Sequence, residues 1–289
     1  MLCRRRRRSP LPALASDGYH LSPMPAPRSL VLLLTVVLGA APAPARAESA
    51  LRLPPPAVFG SIPSATFDDA GKKLGEARLD VLRLASGNVY LLASGSITGA
   101  EAMVLSTELA PTADGAALHP LWQMSHAYDK AGNSLGVMFI DHEKEEAFCA
   151  HEDGNPAPPD RLPVPQPDRV AHVPLNLLFL PLAKGEASEI KFEFLLCALG
   201  PRFVDAKATV ARRIPPQEGK HPLVEVRYEL DLNPVLAAVA RPFLPRFAFW
   251  FDPLARDPWV AHRMPLASKG PAVLIVRSGV LPAALGVTP

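Results

Sequence analysis

The stretch Val224-Glu-Val-Arg-Tyr-Glu-Leu-Asp231 alternates apolar and charged side chains without exception. Successive side chains of a β-strand point to opposite faces, so the four apolar residues share one face and the four charged residues share the other. An antiparallel sheet that packs one face on a core and exposes the other to water has this pattern. The stretch therefore predicts a strand of an antiparallel sheet.

Two pairs of strand-like stretches flank short turns and predict β-hairpins. They are residues 77–82 with 89–93 around Ser86-Gly-Asn88, and residues 121–128 with 135–140 around Asp129-Lys-Ala-Gly-Asn133. Further strands are predicted at residues 101–109, 145–151, 190–196, 203–213, 247–251, 259–264 and 272–277. The chain therefore carries about ten short strands.

Two short helices are predicted between the strands. Val173–Ala183 is apolar, has Pro174 at a favourable first helical position and is bounded by Gly185. Val235–Arg241 follows the helix cap Asn233 and supplies about two turns. Strands and helices do not alternate as in βαβ units, which excludes a parallel sheet with a nucleotide-binding crevice. The predicted fold is mainly β, a curled antiparallel sheet or partly open β-barrel with about two short helices.

The predicted domain boundaries follow changes in composition. Residues 48–73 are rich in proline and predict an extended leader, and residues 74–280 predict a single antiparallel β domain. The proline-rich loop 153–171 is long for a compact domain, so it could join two abutting sheets. Residues 281–289 are expected to form a tail.

Residues 1–47 have the layout of a secretory signal peptide. A 12-residue apolar run at 30–41 follows Arg28 and precedes Ala45-Arg-Ala47, which predicts cleavage after Ala47. Met24 as the start would give a signal peptide of ordinary length.

Two other interpretations of this segment are weaker. A membrane-spanning helix needs about 20 apolar residues, more than the run contains. A twin-arginine export signal would use Arg4–Arg8, which lie far from the apolar run. No cysteine lies near the predicted cleavage site, so a lipid anchor on the mature N-terminus is not expected. We therefore expect a periplasmic or secreted mature protein without a transmembrane segment.

The charge distribution argues against nucleic acid as a partner. Seven of the 30 Lys and Arg residues, but only one of the 28 Asp and Glu residues, precede residue 48. The remainder carries 23 cations and 27 anions, a net charge of −4. Nucleic-acid binding requires a clustered positive face, which this composition does not provide.

Cys149 and Cys197 are the two cysteines of the predicted mature chain. An even number of cysteines in an exported protein favours a disulfide. Each cysteine follows a large apolar residue on a predicted strand, so both can lie on one face. The alternative is two buried thiols that do not meet.

No motif in the sequence names a reaction, and we assign no catalytic residue, metal or cofactor. Asp141-His-Glu143 and His151-Glu-Asp153 bring carboxylates and imidazoles together, but their spacing matches no strong metal-binding pattern. Gly95-Ser-Ile-Thr-Gly99 only partly resembles the turn that presents a catalytic serine.

Aromatic side chains concentrate near the end of the chain. Phe249, Trp250 and Trp259 lie close together in a sequence with only 7% aromatic residues. These residues are our predicted ligand-binding positions, because an apolar pocket is commonly lined by aromatic side chains. The alternative is that the hydrophobic stretch Leu232–Phe251 packs entirely into the core.

The signal peptide, the hairpins, the short helix after a proline-rich crossing and the strand ending in Phe249-Trp-Phe-Asp252 together resemble an uncharacterised family of bacterial envelope proteins. Members of that family are taken to have curled sheets similar to LolA/LolB-like lipoprotein carriers. The resemblance covers roughly residues 74–278 and implies an apolar concave face closed by the two short helices. No functional residue transfers with it.

These observations lead to three functional hypotheses. The first is a non-enzymatic envelope protein that binds a lipid, another apolar small molecule or another envelope protein. The second is a secreted hydrolase, which requires a polar triad at a cleft. The third is a purely structural interaction domain, which requires a filled core.

Overall fold

The β-strands of this protein follow one another along nearly the whole described chain. The computed structural model describes residues 50–150, 160–197, 201–216, 221–230, 247–266 and 271–286. The strands that precede the helices are β1 Gly60–Phe67, β2 Lys73–Arg83, β3 Val89–Ser96, β4 Ala102–Pro111, β5 Leu118–Tyr128, β6 Ser134–Asp141, β7 Glu146–Ala150 and β8 Asp160–Pro163. Those that follow are β9 Glu189–Leu196, β10 Arg202–Ile214, β11 Leu223–Leu230, β12 Phe247–Phe251, β13 Trp259–Pro265 and β14 Ala272–Arg277.

The helical elements are short. They are the 3₁₀ turn Pro167–Arg169, the helices α1 Leu175–Leu178 and α2 Leu180–Lys184, and a second 3₁₀ turn at Pro282–Leu285. Gly185 ends α2 in the left-handed conformation, with φ of 78°, where the absence of a Cβ removes the steric penalty. Within the described residues, no helix is long and apolar enough to cross a membrane.

All fourteen described strands belong to one antiparallel sheet. Its order is β8-β7-β6-β5-β4-β3-β2-β1-β14-β13-β12-β11-β10-β9. The chain starts at the centre of the sheet, runs outward to β8, crosses to the opposite edge at β9 and returns to the centre at β14. The mainly β fold with an antiparallel sheet that does not close is therefore confirmed.

A disulfide shows that this sheet curls upon itself. Cys149 lies on β7 and Cys197 directly follows β9, and the two are joined with their Cα atoms 5.6 Å apart. These strands stand twelve positions apart in the sheet order. In a flat sheet that separation would be about 58 Å, since neighbouring strands lie about 4.8 Å apart. The two edges therefore approach each other without pairing.

The segment between β8 and α1 crosses the gap between the two edges. We call residues 164–174 the strap. Val170 forms a parallel bridge with Glu193 on β9, and the Ala171 amide donates to the Glu193 carbonyl at 3.0 Å. A small apolar cluster packs with Cys149 where the two edges approach each other. Its other members are Met138, Ile140, Ala147, Val164, Val170 and Leu195. The strap thus joins both edges of the open sheet.

The helices occupy one side of the interior. They pack on β10 and β11, and the fully buried Phe179 between them meets three other rings. Its ring centroid lies 5.8 Å from Phe192, 5.7 Å from Tyr228 and 5.1 Å from Phe249. Aromatic pairs at these separations add to the stabilisation from burial. We call this part of the interior, beside β9–β12, the filled half.

A second cluster covers the outer face of β12–β14. Trp250, Leu274 and Leu285 are buried there. The Arg212 guanidinium donates to the carbonyls of Leu285 and Gly286 at 3.0 Å and also pairs with the buried Glu225. The predicted tail at 281–289 is therefore wrong for its first residues, which pack on the sheet.

The structure corrects two other predicted boundaries. The predicted leader 48–73 contains β1, which pairs with both β2 and β14 at the centre of the sheet. The predicted loop 153–171 contains β8 and a 3₁₀ turn, and one continuous sheet replaces two abutting sheets. The predicted helix at Val235–Arg241 and the predicted signal peptide at 1–47 lie outside the described residues.

Candidate functional site

The interior contains a cavity beside β2–β4 and the start of α1. We call it the inner cavity and the part of the interior around it the hollow half. Its volume is about 60 Å³, the space that about two water molecules occupy in the liquid. Its walls come from β2–β4, β12–β14, the end of the strap and the first residues of α1, mostly from apolar side chains. These include Leu79, Leu91, Ala93, Met103, Val173, Phe249, Met264 and Ile275.

A bulge in β13 turns two polar aromatic side chains toward the inner cavity. Opposite β12, Phe251 pairs with Trp259 and Trp250 pairs with Ala261, so Val260 has no partner of its own. Residues three apart on a regular strand face opposite sides, and an extra residue restores them to the same side. Trp259 and His262 consequently both line the cavity, with ring centroids 5.6 Å apart.

Three nitrogen atoms of cavity-lining residues lack a protein hydrogen-bond partner among the described residues. They are Trp259 Nε1, His262 Nε2 and His172 Nδ1. Each atom is buried, and unsatisfied buried polar atoms are uncommon in folded proteins. Leaving such a group unpaired costs about 1–3 kcal/mol. The inner cavity is therefore apolar with three unused polar groups in its wall.

Both histidines of the inner cavity are neutral at physiological pH. Removal from bulk water lowers the pKa of His172 to about 3 and that of His262 to about 4. The ring centroid of His172 lies 4.4 Å from that of Phe194 in a tilted arrangement, and His262 stacks against Phe249 at 5.4 Å. Neither ring has a described carboxylate partner to favour its charged form. A bound molecule therefore meets neutral imidazoles.

Gln123 fixes the strap that closes one wall of the inner cavity. This fully buried side chain accepts hydrogen bonds from the amides of His172 and Val173, each at 2.7 Å. Its Nε2 donates to the Val170 carbonyl at 3.2 Å and lies 2.6 Å from His142 Nε2. The strap is thus bound to the sheet by side-chain hydrogen bonds as well as by packing.

His142 extends the hydrogen-bond network of Gln123. Its Nδ1 lies 2.8 Å from the Pro167 carbonyl, so Nδ1 carries the proton and Nε2 accepts from Gln123. Burial lowers the pKa of His142 to about 4, although the Pro167 carbonyl and the charge of Asp141 partly oppose that shift. The neutral ring is the form that this hydrogen-bond network requires.

A second, larger cleft lies on the other side of the strap. We call it the outer cleft. Its volume is about 450 Å³, within the range of small-molecule sites. Val173 and Pro174 contribute to both the cleft and the inner cavity. Two polar side chains that line it, Gln123 and His142, already form hydrogen bonds within the protein. The outer cleft is therefore larger than the inner cavity, but its described lining residues include no buried polar atom without a partner.

The structure separates the three predicted ligand-binding residues. Phe249 and Trp259 line the inner cavity. Trp250 lies on the opposite face of β12 in the outer cluster, because it alternates with its two phenylalanine neighbours along the strand. Trp250 therefore does not line the inner cavity. His172 and His262 occur singly in the sequence, where no pattern distinguishes them.

A serine and a histidine meet at the hairpin of β5 and β6. Ser134 Oγ lies 2.9 Å from His126 Nε2, and the Tyr128 hydroxyl lies 2.8 Å from His126 Nδ1. In a catalytic triad a carboxylate accepts the Nδ1 proton and leaves Nε2 free to take the serine proton. A phenol at that position can instead donate to Nδ1. These residues line neither the inner cavity nor the outer cleft, so they give the hydrolase hypothesis little support.

No group of three or more potential metal ligands occurs among the described residues. Of the two candidate metal segments, Asp141-His-Glu143 includes His142, whose nitrogens are engaged by Gln123 and Pro167. The segment His151-Glu-Asp153 lies outside the described residues.

Comparisons with known proteins add little to this picture. No protein-family model matches the chain, and no curated protein matches it. The chain is similar to a crystal structure of a "Beta-barrel-like Protein of Domain of Unknown Function DUF1849 from Brucella abortus". The match has 12% sequence identity and a TM-score of 0.42, and it covers 79% of this chain and 97% of that one. A likeness this weak establishes neither a family nor a function.

Proposed function

We propose that this protein is a non-enzymatic binding protein that holds a small, mainly apolar molecule in the inner cavity. The observation that carries the proposal is an apolar interior space whose wall contains three buried nitrogen atoms without protein partners. A core that serves stability alone would fill such a space. Unpaired buried polar atoms also occur elsewhere, at the Tyr228 hydroxyl and Trp250 Nε1, so the proposal rests on the three nitrogen atoms belonging to residues that line one space. A ligand accounts for both features at once.

The cavity is small, so a ligand with more than a few heavy atoms would enlarge it. Met103 and Met264 belong to the wall, and unbranched methionine side chains adapt to irregular neighbours. Flexible wall residues of this kind permit a ligand to enter at a modest cost. The outer cleft, separated only by the strap, is the route that the fold offers for a longer molecule.

The proposed location is the periplasm or the extracellular space. Two observations support it: the signal-peptide pattern before residue 48 and the disulfide between Cys149 and Cys197, since disulfides persist in oxidising compartments. Mass spectrometry of protein from its native host should find a mature N-terminus beyond Ala47. A mature chain that still contains Arg28 would contradict this assignment.

A cavity-filling substitution tests the binding site. Ala93 lines the inner cavity on β3, and Ala93→Leu places three more carbon atoms in it. Ala102→Leu, at the start of the neighbouring β4 and outside the cavity lining, is the matched control. Thermal unfolding is then recorded with increasing benzene or hexane, because a ligand that binds only the folded state raises the melting temperature.

The proposal expects the melting temperature of the wild type and of Ala102→Leu to rise with ligand concentration, and that of Ala93→Leu to stay constant. Circular dichroism confirms that both variants fold. An equal rise in Ala93→Leu would place the ligand elsewhere and overturn the proposed site. No rise in the wild type would favour the purely structural hypothesis.

A further inference from the structure

The bulge in β13 brings two unused polar groups to one side of an otherwise apolar space. Without the unpaired Val260, Trp259 and His262 would face opposite sides of the sheet. Bulges commonly re-aim side chains beside functional sites. The bulge therefore places both Trp259 and His262 in the wall of the inner cavity.

The chemistry of this pair limits what it can bind. The indole nitrogen of Trp259 can only donate a hydrogen bond, so its partner must be an acceptor. The unpartnered Nε2 of His262 donates in one neutral tautomer. The ring centroids of Trp259 and His262 lie 5.6 Å apart, so the proposed ligand places one acceptor atom beside both rings.

The charges around the inner cavity decide whether that acceptor is neutral. Arg78 is the one charged residue among the described lining residues. Its guanidinium donates to Asp80 at 2.7 Å, and its side chain is 60% exposed. A carboxylate in the cavity would therefore lose its hydration without gaining a free cation, and burying an unpaired charge is costly.

We infer that the ligand is a neutral apolar molecule with a carbonyl group, as in a ketone, an ester or an amide, and that its oxygen accepts hydrogen bonds from Trp259 Nε1 and His262 Nε2. The inference rests on the proposed function and specifies its ligand class. His172 on the strap supplies the third unused nitrogen of the cavity lining. Both donor atoms are buried, so a ligand reaches them only when side chains of the wall move, and Met103 and Met264 are the flexible members of that wall.

Nuclear magnetic resonance of the intact mature protein tests the ligand class. The probes are heptane, 2-heptanone and heptanoate, which differ in the end group. The methyl signals of Met103 and Met264 report entry into the inner cavity. The indole N–H signal of Trp259 reports hydrogen bonding, and that of Trp250, equally buried on the other face of the sheet, is the internal control.

We expect 2-heptanone to shift the Trp259 indole signal downfield in a saturable manner, with Trp250 unchanged. Heptane should perturb the methionine methyl signals without this shift, and heptanoate should bind more weakly than the ketone. In Trp259→Phe, the affinity for 2-heptanone should fall roughly fivefold, the effect of one hydrogen bond, and the affinity for heptane should persist.

The alternative outcomes separate the two proposals. Perturbed methionine signals with an unmoved Trp259 signal would overturn the carbonyl inference and leave the apolar binding site standing. Tighter binding of heptanoate than of 2-heptanone would also overturn it, in favour of an acidic ligand. If none of the three probes perturbs the methionines, the proposed function itself fails.

Discussion

The filled half and the hollow half of the interior are enclosed by the same sheet but have opposite character. Phe179 inserts from the helices and fills the space beside β9–β12 with contacts to three rings. The space beside β2–β4 and β13–β14 receives no comparable side chain and retains a cavity. Phe249 stands at the border, with an edge contact to Phe179 and a stacking contact to His262.

This difference shows how one sheet can separate stability from binding. Dense aromatic packing on one side provides the stabilisation that a domain needs, because apolar burial is the main favourable contribution to folding. The other side can then keep unfilled volume, which lowers stability.

Phe179→Ala should remove the centre of the filled half. A fully buried phenylalanine truncated to alanine costs about 3–5 kcal/mol, from lost transfer free energy and from the new void. Urea denaturation measures the free energy of unfolding. Leu82→Ala, at a side chain that is 45% exposed, is the control and should cost far less. Equal losses in the two variants would contradict the assigned role of Phe179.

Gln123→Leu should loosen the hollow half and spare the filled half. The substitution leaves the amides of His172 and Val173 without their acceptor, which costs about 1–3 kcal/mol for each buried unsatisfied group. Hydrogen exchange followed by mass spectrometry should show faster exchange in strap peptides and unchanged exchange in β11. Uniform acceleration across the chain would indicate that the strap does not open separately.

Acidification should destabilise the protein through its buried histidines. The pKa values of His142, His172 and His262 lie near 4, 3 and 4 in the folded state, below the value of about 6.5 in an unfolded chain. Between these values the unfolded state binds more protons, so stability is full above pH 6.5 and decreases as the pH falls toward 4. His172→Phe should reduce the slope of unfolding free energy against pH between 7 and 4.5. An unchanged slope would contradict the neutral, buried state of that ring.

The sequence predicts the sheet well where polar and apolar residues alternate. Val224, Val226 and Tyr228 lie in the interior as expected, and the hairpins at β2–β3 and β5–β6 pair as predicted. The alternation identifies these strands because one face of each is mainly apolar and the other mainly polar. Glu225 on β11 departs from the expected exposure, since it is buried and pairs with Arg212 and Arg227.

Other features could not be predicted from the pattern. Strand β1 was missed because the side chains that it buries at its centre are the small polar residues Ser64 and Thr66, with Pro63 between them and Ile62. These residues show no apolar period. Aromatic clustering groups Trp250 with Phe249 and Trp259, but the alternation of β12 places Trp250 on the face opposite to Phe249 and Phe251.

The candidate site was predictable only in part for a related reason. Trp259 was identified from aromatic clustering, but its partnership with His262 depends on the bulge at Val260, which removes the regular two-residue period. His172 lines the cavity because it belongs to the strap, which crosses from one edge of the sheet to the other. Local sequence patterns carry neither kind of information.

An apolar molecule should enter the hollow half and not the outer cluster around Trp250. Quenching of tryptophan fluorescence distinguishes these two locations. One variant, Trp122→Phe with Trp250→Phe, retains Trp259 as the only tryptophan, and the other, Trp122→Phe with Trp259→Phe, retains Trp250. Both are titrated with bromobenzene, an apolar heavy-atom quencher. The account predicts strong, saturable quenching of Trp259 and weak, linear quenching of Trp250. Equal quenching of both, or saturable quenching of Trp250 alone, would contradict it.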